Sequence, residues 1–226
     1  MTERVRDRLF RSNPYAGLDP GQYPDDIQGW WSDHPVLPNA IGVLRPRRIV
    51  EVGTWKGRSA INMATATRAM GLDCEIVCVD TWLGSPEHWI SGRDDEYASL
   101  ALKNGYPQLY YTFLANVARR GLEDVITPMP MTSESAAHVL RQLGIQFDIA
   151  YIDGAHEYEP VKRDLADYWA LLHNHGVLIA DDYEIFPGVT RAVDEFAREV
   201  GCAMQAHPTK CLLYKPGADS GLNLLG

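Results

Sequence analysis

Five short runs, residues 49–52, 75–79, 125–129, 147–152 and 177–180, are dense in β-branched and other apolar side chains, and each is followed by apolar positions at helical spacing. This alternation constrains the chain more than any other feature. Buried strands separated by amphipathic helices build a mostly parallel sheet with right-handed crossovers and helices on both faces, an α/β fold. The predicted helices cover 59–70, 107–120, 133–143, 157–173 and 187–200. Residues 202–206 and 211–214 are expected to pair as an antiparallel hairpin at one edge, turning around His207, Pro208, Thr209 and Lys210. In such a sheet, ligands sit beyond the carboxyl ends of the strands. The stretch FDIAYIDGAH, in which the fourth strand stops at Asp153 and His156 follows three positions later, therefore makes these two residues the first candidates for chemistry.

The first 40 residues break the rhythm. Pro14, Pro20, Pro24, Pro35 and Pro38, with glycines at 17, 21 and 29, leave room for only a short helix at 4–11, so an irregular arm is expected before a single domain at 41–226. Tyr15, Tyr23, Trp30 and Trp31 are too many aromatics for a disordered tail; packing on the domain and covering a site as a lid both account for them. A second departure, 81–106, carries Trp82, His88, Trp89, Arg93 and the acids Asp94, Asp95 and Glu96, and reads as an inserted cap above the sheet.

A formal net charge of -9 argues against nucleic-acid and anionic-membrane partners, which need a basic face, and favours a small-molecule or oligosaccharide partner. Cys74, Cys78, Cys202 and Cys211 form no CxxC pair and read as buried thiols. A charged amino terminus and the lack of a long apolar run place the expected location in the cytoplasm. A homo-oligomer is compatible with this composition, and the oligomeric state is open.

The turn after the first strand reads Glu51, Val52, Gly53, Thr54, Trp55, Lys56, Gly57, Arg58, Ser59. Glycines there permit a tight strand-to-helix turn and close approach of a ligand to a helix amino terminus. A dinucleotide fingerprint needs glycine where Trp55 and Arg58 stand, and a P-loop needs four residues between its glycines and a lysine after the second. Both phosphate motifs fail. The pattern resembles the class I S-adenosylmethionine-dependent methyltransferases, whose first motif matches Glu51, Gly53 and Gly57, and whose acidic residue at the end of the second strand matches Asp80. The resemblance implies a Rossmann-like methyltransferase fold with Asp80 on the ribose hydroxyls. It also implies contacts from Thr54, Ser59 and Asp153, adenine contacts from Thr132 and Ser133, and Trp82 as a stacking wall.

Asp153 at the end of one strand and Asp181 and Asp182 at the end of the next converge if those strands are neighbours. Three acids together raise one another's pKa unless a cation intervenes, and a hard ion such as Mg2+ with oxygen ligands would relieve the repulsion. The spacing resembles metal-dependent O-methyltransferases of the catechol O-methyltransferase type, and more closely the bacterial sugar and macrolide O-methyltransferases, over residues 45–200. That likeness implies Asp153, Asp181 and Asp182 as metal ligands and His156 at the position of the catechol enzymes' lysine base. The expectation is a Mg2+-dependent O-methyltransferase acting on a sugar, glycoside or saccharide precursor, with Trp30, Trp31, Trp82 and Trp89 as exposed sugar-binding surfaces. A catechol-like phenol acceptor, a non-catalytic cofactor-binding scaffold and a metal-dependent hydroxylase or hydrolase are the rivals. His34 and His88 are the alternative bases, and His173 and His175 are read as carbonyl-satisfying residues at a helix end.

Overall fold

Every apolar run becomes a strand, because central parallel strands are covered on both faces and tolerate little else. The computed structural model describes residues 3–30, 33–90 and 92–218. In chain order the elements are α1 (Val5–Leu9), α2 (Val36–Leu44), β1 (Arg48–Val52), α3 (Arg58–Ala69), β2 (Glu75–Asp80), α4 (Pro86–Ile90), α5 (Asp94–Ser99) and α6 (Leu109–Arg119). They continue as β3 (Ile126–Pro130), α7 (Ser133–Gln142), β4 (Phe147–Ile152), α8 (Tyr158–Ala170), β5 (Leu172–Tyr183), α9 (Pro187–Val200), β6 (Ala203–His207) and β7 (Thr209–Tyr214). The sheet order is β3-β2-β1-β4-β5-β7-β6, with β1 to β5 parallel and β7 antiparallel to both β5 and β6. Strand order reverses between β1 and β4, the point on the carboxyl edge where open α/β sheets hold ligands in a crevice.

One sheet face packs on α2, α3 and α6 through Ile41, Ile61, Met63, Phe113 and Leu114. The other packs on α7, α8 and α9 through Leu140, Leu165, Tyr168, Val193 and Phe196. Local chemistry sets the helix ends. Thr132 caps α7 by accepting from the Ser135 N–H at 3.2 Å, and α9 starts on Pro187 and stops at Gly201 in the left-handed region.

Polar groups tie the described part of the arm to the domain, from Val5 to Gln28. The buried carboxylate of Glu75 accepts from the N–H groups of Val5 and Arg6 at 2.8 and 3.0 Å, and so satisfies donors that α1 cannot satisfy itself. Tyr15 donates to the Ile126 carbonyl at 3.0 Å, and Arg119 donates to the carbonyls of Pro20, Tyr23 and Pro24. Lys56 pairs with Asp26 at 2.6 Å, and the Trp55 indole donates to Gln28 at 2.9 Å. The arm thus crosses α6 and reaches the glycine turn. Helix α2 runs through the boundary expected at residue 40.

Three local expectations change. The helix predicted to reach His173 ends at Ala170, and His173 and His175 lie in β5, whose pairing with β4 begins at Leu172. Lys210, expected in the hairpin turn, is paired in β7. Trp82, expected on the surface, is 1% exposed, with its ring 5.1 Å from Tyr110 and 4.8 Å from Phe113. Burying so large a ring outweighs presenting it to solvent. Trp30 and Trp89 are exposed, and Trp31 lies outside the described residues.

Candidate active site

Strand register lines up the site. Cys78 faces Glu51, Glu51 faces Tyr151, Tyr151 faces Ile179 and Ile179 faces Leu212 across five neighbouring strands. Side chains repeat every second residue. One step further toward the carboxyl edge, on the same face, stand Asp80, Gly53, Asp153, Asp181 and Lys210. Acids from three strands are brought together by alternation alone.

At one end of this row the carboxylate of Asp80 braces the glycine turn. Its Oδ2 accepts from the N–H groups of Thr54 and Trp55 at 2.9 and 2.8 Å, and its Oδ1 from the Trp82 N–H at 2.7 Å. Burial pushes the Asp80 pKa up, and these backbone donors oppose the rise. Trp82 therefore meets Asp80 through its backbone, while its indole donates to the Trp55 carbonyl at 2.8 Å. Glu51 lies under the turn, wholly buried, where Ser59 Oγ donates to Oε1 and the Cys78 thiol lies 3.6 Å from Oε2. Burial raises its pKa from 4.5 to about 8, so Glu51 is neutral at pH 7 and belongs to the interior of the turn.

The two turn glycines serve close packing within the chain. Gly53 has φ +81°, and a Cβ there would fall 2.0 Å from the Asp153 carbonyl oxygen. Gly57 has φ +92°, and a Cβ would meet the Phe113 ring at 2.8 Å. The β1 and β4 loops consequently touch backbone to backbone at the crevice. Trp55, in the left-handed region at φ 51°, stacks on His88 at 4.4 Å and lies 6.3 Å from Trp30 of the arm. On the far side of the crevice, Thr132 is exposed and Ser133 half-buried at the start of α7.

The other end of the row holds a buried charge cluster. Lys210 is 0% exposed and forms an ion pair with Asp181 Oδ1, its Nζ 5.6 Å from the centre of the Tyr151 ring. The Tyr151 hydroxyl donates to Asp181 Oδ2 and lies 3.4 Å from Asp153 Oδ2. Burial, followed by the charges of Asp181 and Asp182, pushes Asp153 well above the carboxylate range. Asp182 is displaced by an irregularity of the β5–β7 ladder and takes φ 57°, which turns it toward His156. His156 Nε2 lies 3.0 Å from Asp182 Oδ2, and its ring stacks on Phe186 with centroids 4.1 Å apart and planes 2° from parallel. The Asp182 hydrogen bond raises the His156 pKa above 6.5 against the opposing effect of burial. Among the described residues, no group of three or more His, Cys, Asp or Glu side chains is arranged to hold a metal ion.

His34 comes to this end from the arm. Burial chiefly, then the charges of Lys210 and His207, hold its pKa below 6.5, with Asp181 opposing them. His88, by contrast, is engaged through Nδ1 with Ser85 on the cap, under Trp55. Lys210, Tyr151 and Phe186 were not singled out by sequence reasoning. The signal for Lys210 was available: a hairpin added antiparallel to the last parallel strand starts its second arm beside that strand's carboxyl end.

A family model described as a methyltransferase domain matches residues 50–183. Among curated proteins, the chain is similar to the uncharacterized protein y4gI of Sinorhizobium fredii, at 27% identity over 82% of this chain and 18% of that protein. It is also similar to the uncharacterized protein R132 of Acanthamoeba polyphaga mimivirus, at 23% identity over 67% of this chain and 59% of that one. The chain thus spans less than two thirds of either relative. Its fold is similar to that of cofactor-bound Rv0187 from MTB, with TM-score 0.63 and 16% identity over 95% of each chain. An O-methyltransferase from Bacillus cereus in complex with SAH superposes with TM-score 0.59 at 15% identity, covering 86% of each chain. The O-methyltransferase NovP does so with TM-score 0.57 at 19% identity over 80% of this chain and 79% of that one.

Proposed function

Because this chain belongs to the methyltransferase-domain family, we propose that it transfers the methyl group of S-adenosylmethionine to a hydroxyl of a small-molecule acceptor, a sugar, glycoside or saccharide precursor. Oxygen as the acceptor atom is supported by the fold neighbours described as O-methyltransferases. The observation that carries the reading is the His156–Asp182 pair at the carboxyl ends of β4 and β5, on the same edge of the sheet as Asp80 and the glycine turn.

The donor set fits the cofactor. Asp80 ends β2 where the resemblance puts the ribose-binding carboxylate, its oxygens accepting from the N–H groups of Thr54, Trp55 and Trp82 with about one lone-pair position left for a ribose hydroxyl, and the cations of the turn, Lys56 and Arg58, are already paired with Asp26 and Asp33. Gly53, Thr54 and Gly57 shape the turn, with Glu51 and Ser59 as its internal brace, and Thr132 and Ser133 border the adenine side. When bound, S-adenosylmethionine supplies a methyl group already activated by its sulfonium. What remains for the protein is to align the acceptor oxygen and remove its proton. His156 is the general base. Asp182 is a positioning residue: it fixes the ring through Nε2, raises its basicity and leaves Nδ1 for the acceptor. Trp30 and Trp89, with the Trp55–His88 stack, give the flat apolar surfaces that sugar faces favour.

The residues present do not fit the magnesium ion that the sequence resemblance implies. Asp181 is already engaged by Lys210 and Tyr151, and Asp182 by His156. No step is therefore assigned to a metal. Calorimetry with S-adenosylhomocysteine tests the cofactor assignment. Binding that Asp80→Ala abolishes supports it; a wild-type protein that binds none, or an Asp80→Ala protein that binds equally well, overturns it.

A further inference from the structure

We propose that Lys210 takes the place of a divalent cation in this acidic cluster, so that methyl transfer, on the reading above, needs no metal and an isolated acceptor hydroxyl serves as well as a chelating diol. Lysine is almost never fully buried unless it is paired, and here a 0% exposed lysine stands in strand register with an aspartate. A hard ion binds through carboxylate lone pairs. Asp181 Oδ1 accepts from the Lys210 ammonium and from the Asp182 N–H at 2.8 Å, while Oδ2 accepts from Tyr151. Three donors thus occupy a group with about four acceptor positions.

Nor is Asp182 free, since its Oδ2 is bound to His156. The Tyr151 ring beneath the ammonium adds a cation–π contact that a doubly charged, hydrated ion would not seek in the same space. Lys210 relieves the repulsion among the acids and holds Asp181 and Tyr151 in place. It gives no open coordination position to an acceptor oxygen, so a second acceptor oxygen gains nothing. Lys210 is a positioning residue.

The test uses the full chain. Wild-type protein stripped with EDTA is titrated with Mn2+ by electron paramagnetic resonance, with and without S-adenosylhomocysteine. Turnover is measured in EDTA and in Mg2+, on paired acceptors bearing one hydroxyl or a vicinal diol. The expected results are no saturable Mn2+ binding and turnover unchanged by EDTA, whereas dependence on a Lewis-acid ion would appear as a loss of about a hundredfold or more. In Lys210→Met, the freed carboxylates are expected to bind Mn2+, and the ion to raise the melting temperature. Saturable Mn2+ binding by the wild type that Asp181→Ala removes, turnover that depends on Mg2+, or a folded Lys210→Met protein that binds no Mn2+ overturns the proposal. Should Lys210→Met not fold, the wild-type titration decides. S-adenosylhomocysteine binding in the same samples separates the two claims, since cofactor binding alongside metal dependence refutes only this inference.

Discussion

Replacing Gly53 by alanine probes the contact on which the crevice depends. A Cβ at this position would lie 2.0 Å from the Asp153 carbonyl oxygen, against the roughly 3.3 Å that a carbon and a carbonyl oxygen require, so the two loops must separate by about 1.3 Å. Alanine at φ +81° adds a left-handed backbone penalty of about 1–2 kcal/mol, and overpacking adds about 1–3 kcal/mol. Because a chain of this size loses about 2–4 °C of melting temperature per kcal/mol, the expected drop is roughly 10 °C. The displaced loop carries Asp153 and leads to His156, so turnover should fall about a hundredfold, as a 1 Å misplacement of reacting groups can cause. Gly144→Ala is the internal control: its φ is +63° but nothing lies within 4 Å, so only the backbone penalty applies. Scanning calorimetry and steady-state turnover on both variants decide the matter. If Gly53→Ala is no more damaging than Gly144→Ala, the backbone contact between the two loops is not made and the geometry of the crevice is wrong.

Two further predictions concern pH. Glu51 holds its proton from 4.5 to about 8 in the folded state, so its contribution to stability is fully present below 4.5 and is lost as pH rises toward 8. Glu51→Gln should be near neutral at pH 5 and more stable than wild type at pH 9 by about 3–5 kcal/mol in urea denaturation; equal stability at both pH values would contradict a protonated Glu51. For His156, the Asp182 bond raises the folded pKa, so the pair stabilises the fold at low pH and that contribution is lost as pH rises through the raised value. The base is active only when neutral. The acid limb of turnover should therefore lie above 6.5 and move down in Asp182→Asn, as read from rate against pH; a limb unmoved by the substitution would detach Asp182 from the base.

The sheet was legible because parallel strands announce themselves as unbroken apolar runs: residues 147–152 were expected as a strand, and β4 is Phe147–Ile152. That Asp80, Asp153 and Asp181 share one edge followed from the same runs, since each acid directly follows its apolar run. Lys210 was missed because a lysine beside Pro208 and Thr209 looks like a solvated turn. Its burial depends on β7 adding next to β5, a pairing between residues distant in sequence. Trp82 misled for a related reason: an aromatic in an irregular segment reads as surface, yet its left-handed backbone at φ 52° folds the ring inward onto α6. The direction of Asp182 could not be read either, because it is set by a one-residue irregularity in the ladder.

The central claim, His156-assisted methyl transfer to a hydroxyl, is tested most directly by following isotope from methyl-labelled S-adenosylmethionine into saccharide acceptors, with wild type and His156→Ala compared at equal S-adenosylhomocysteine affinity. The account predicts an O-methyl product with the wild type and a loss of about 10²–10⁴-fold with His156→Ala. Tight cofactor binding without label in any hydroxyl acceptor, or full turnover by His156→Ala, would contradict it.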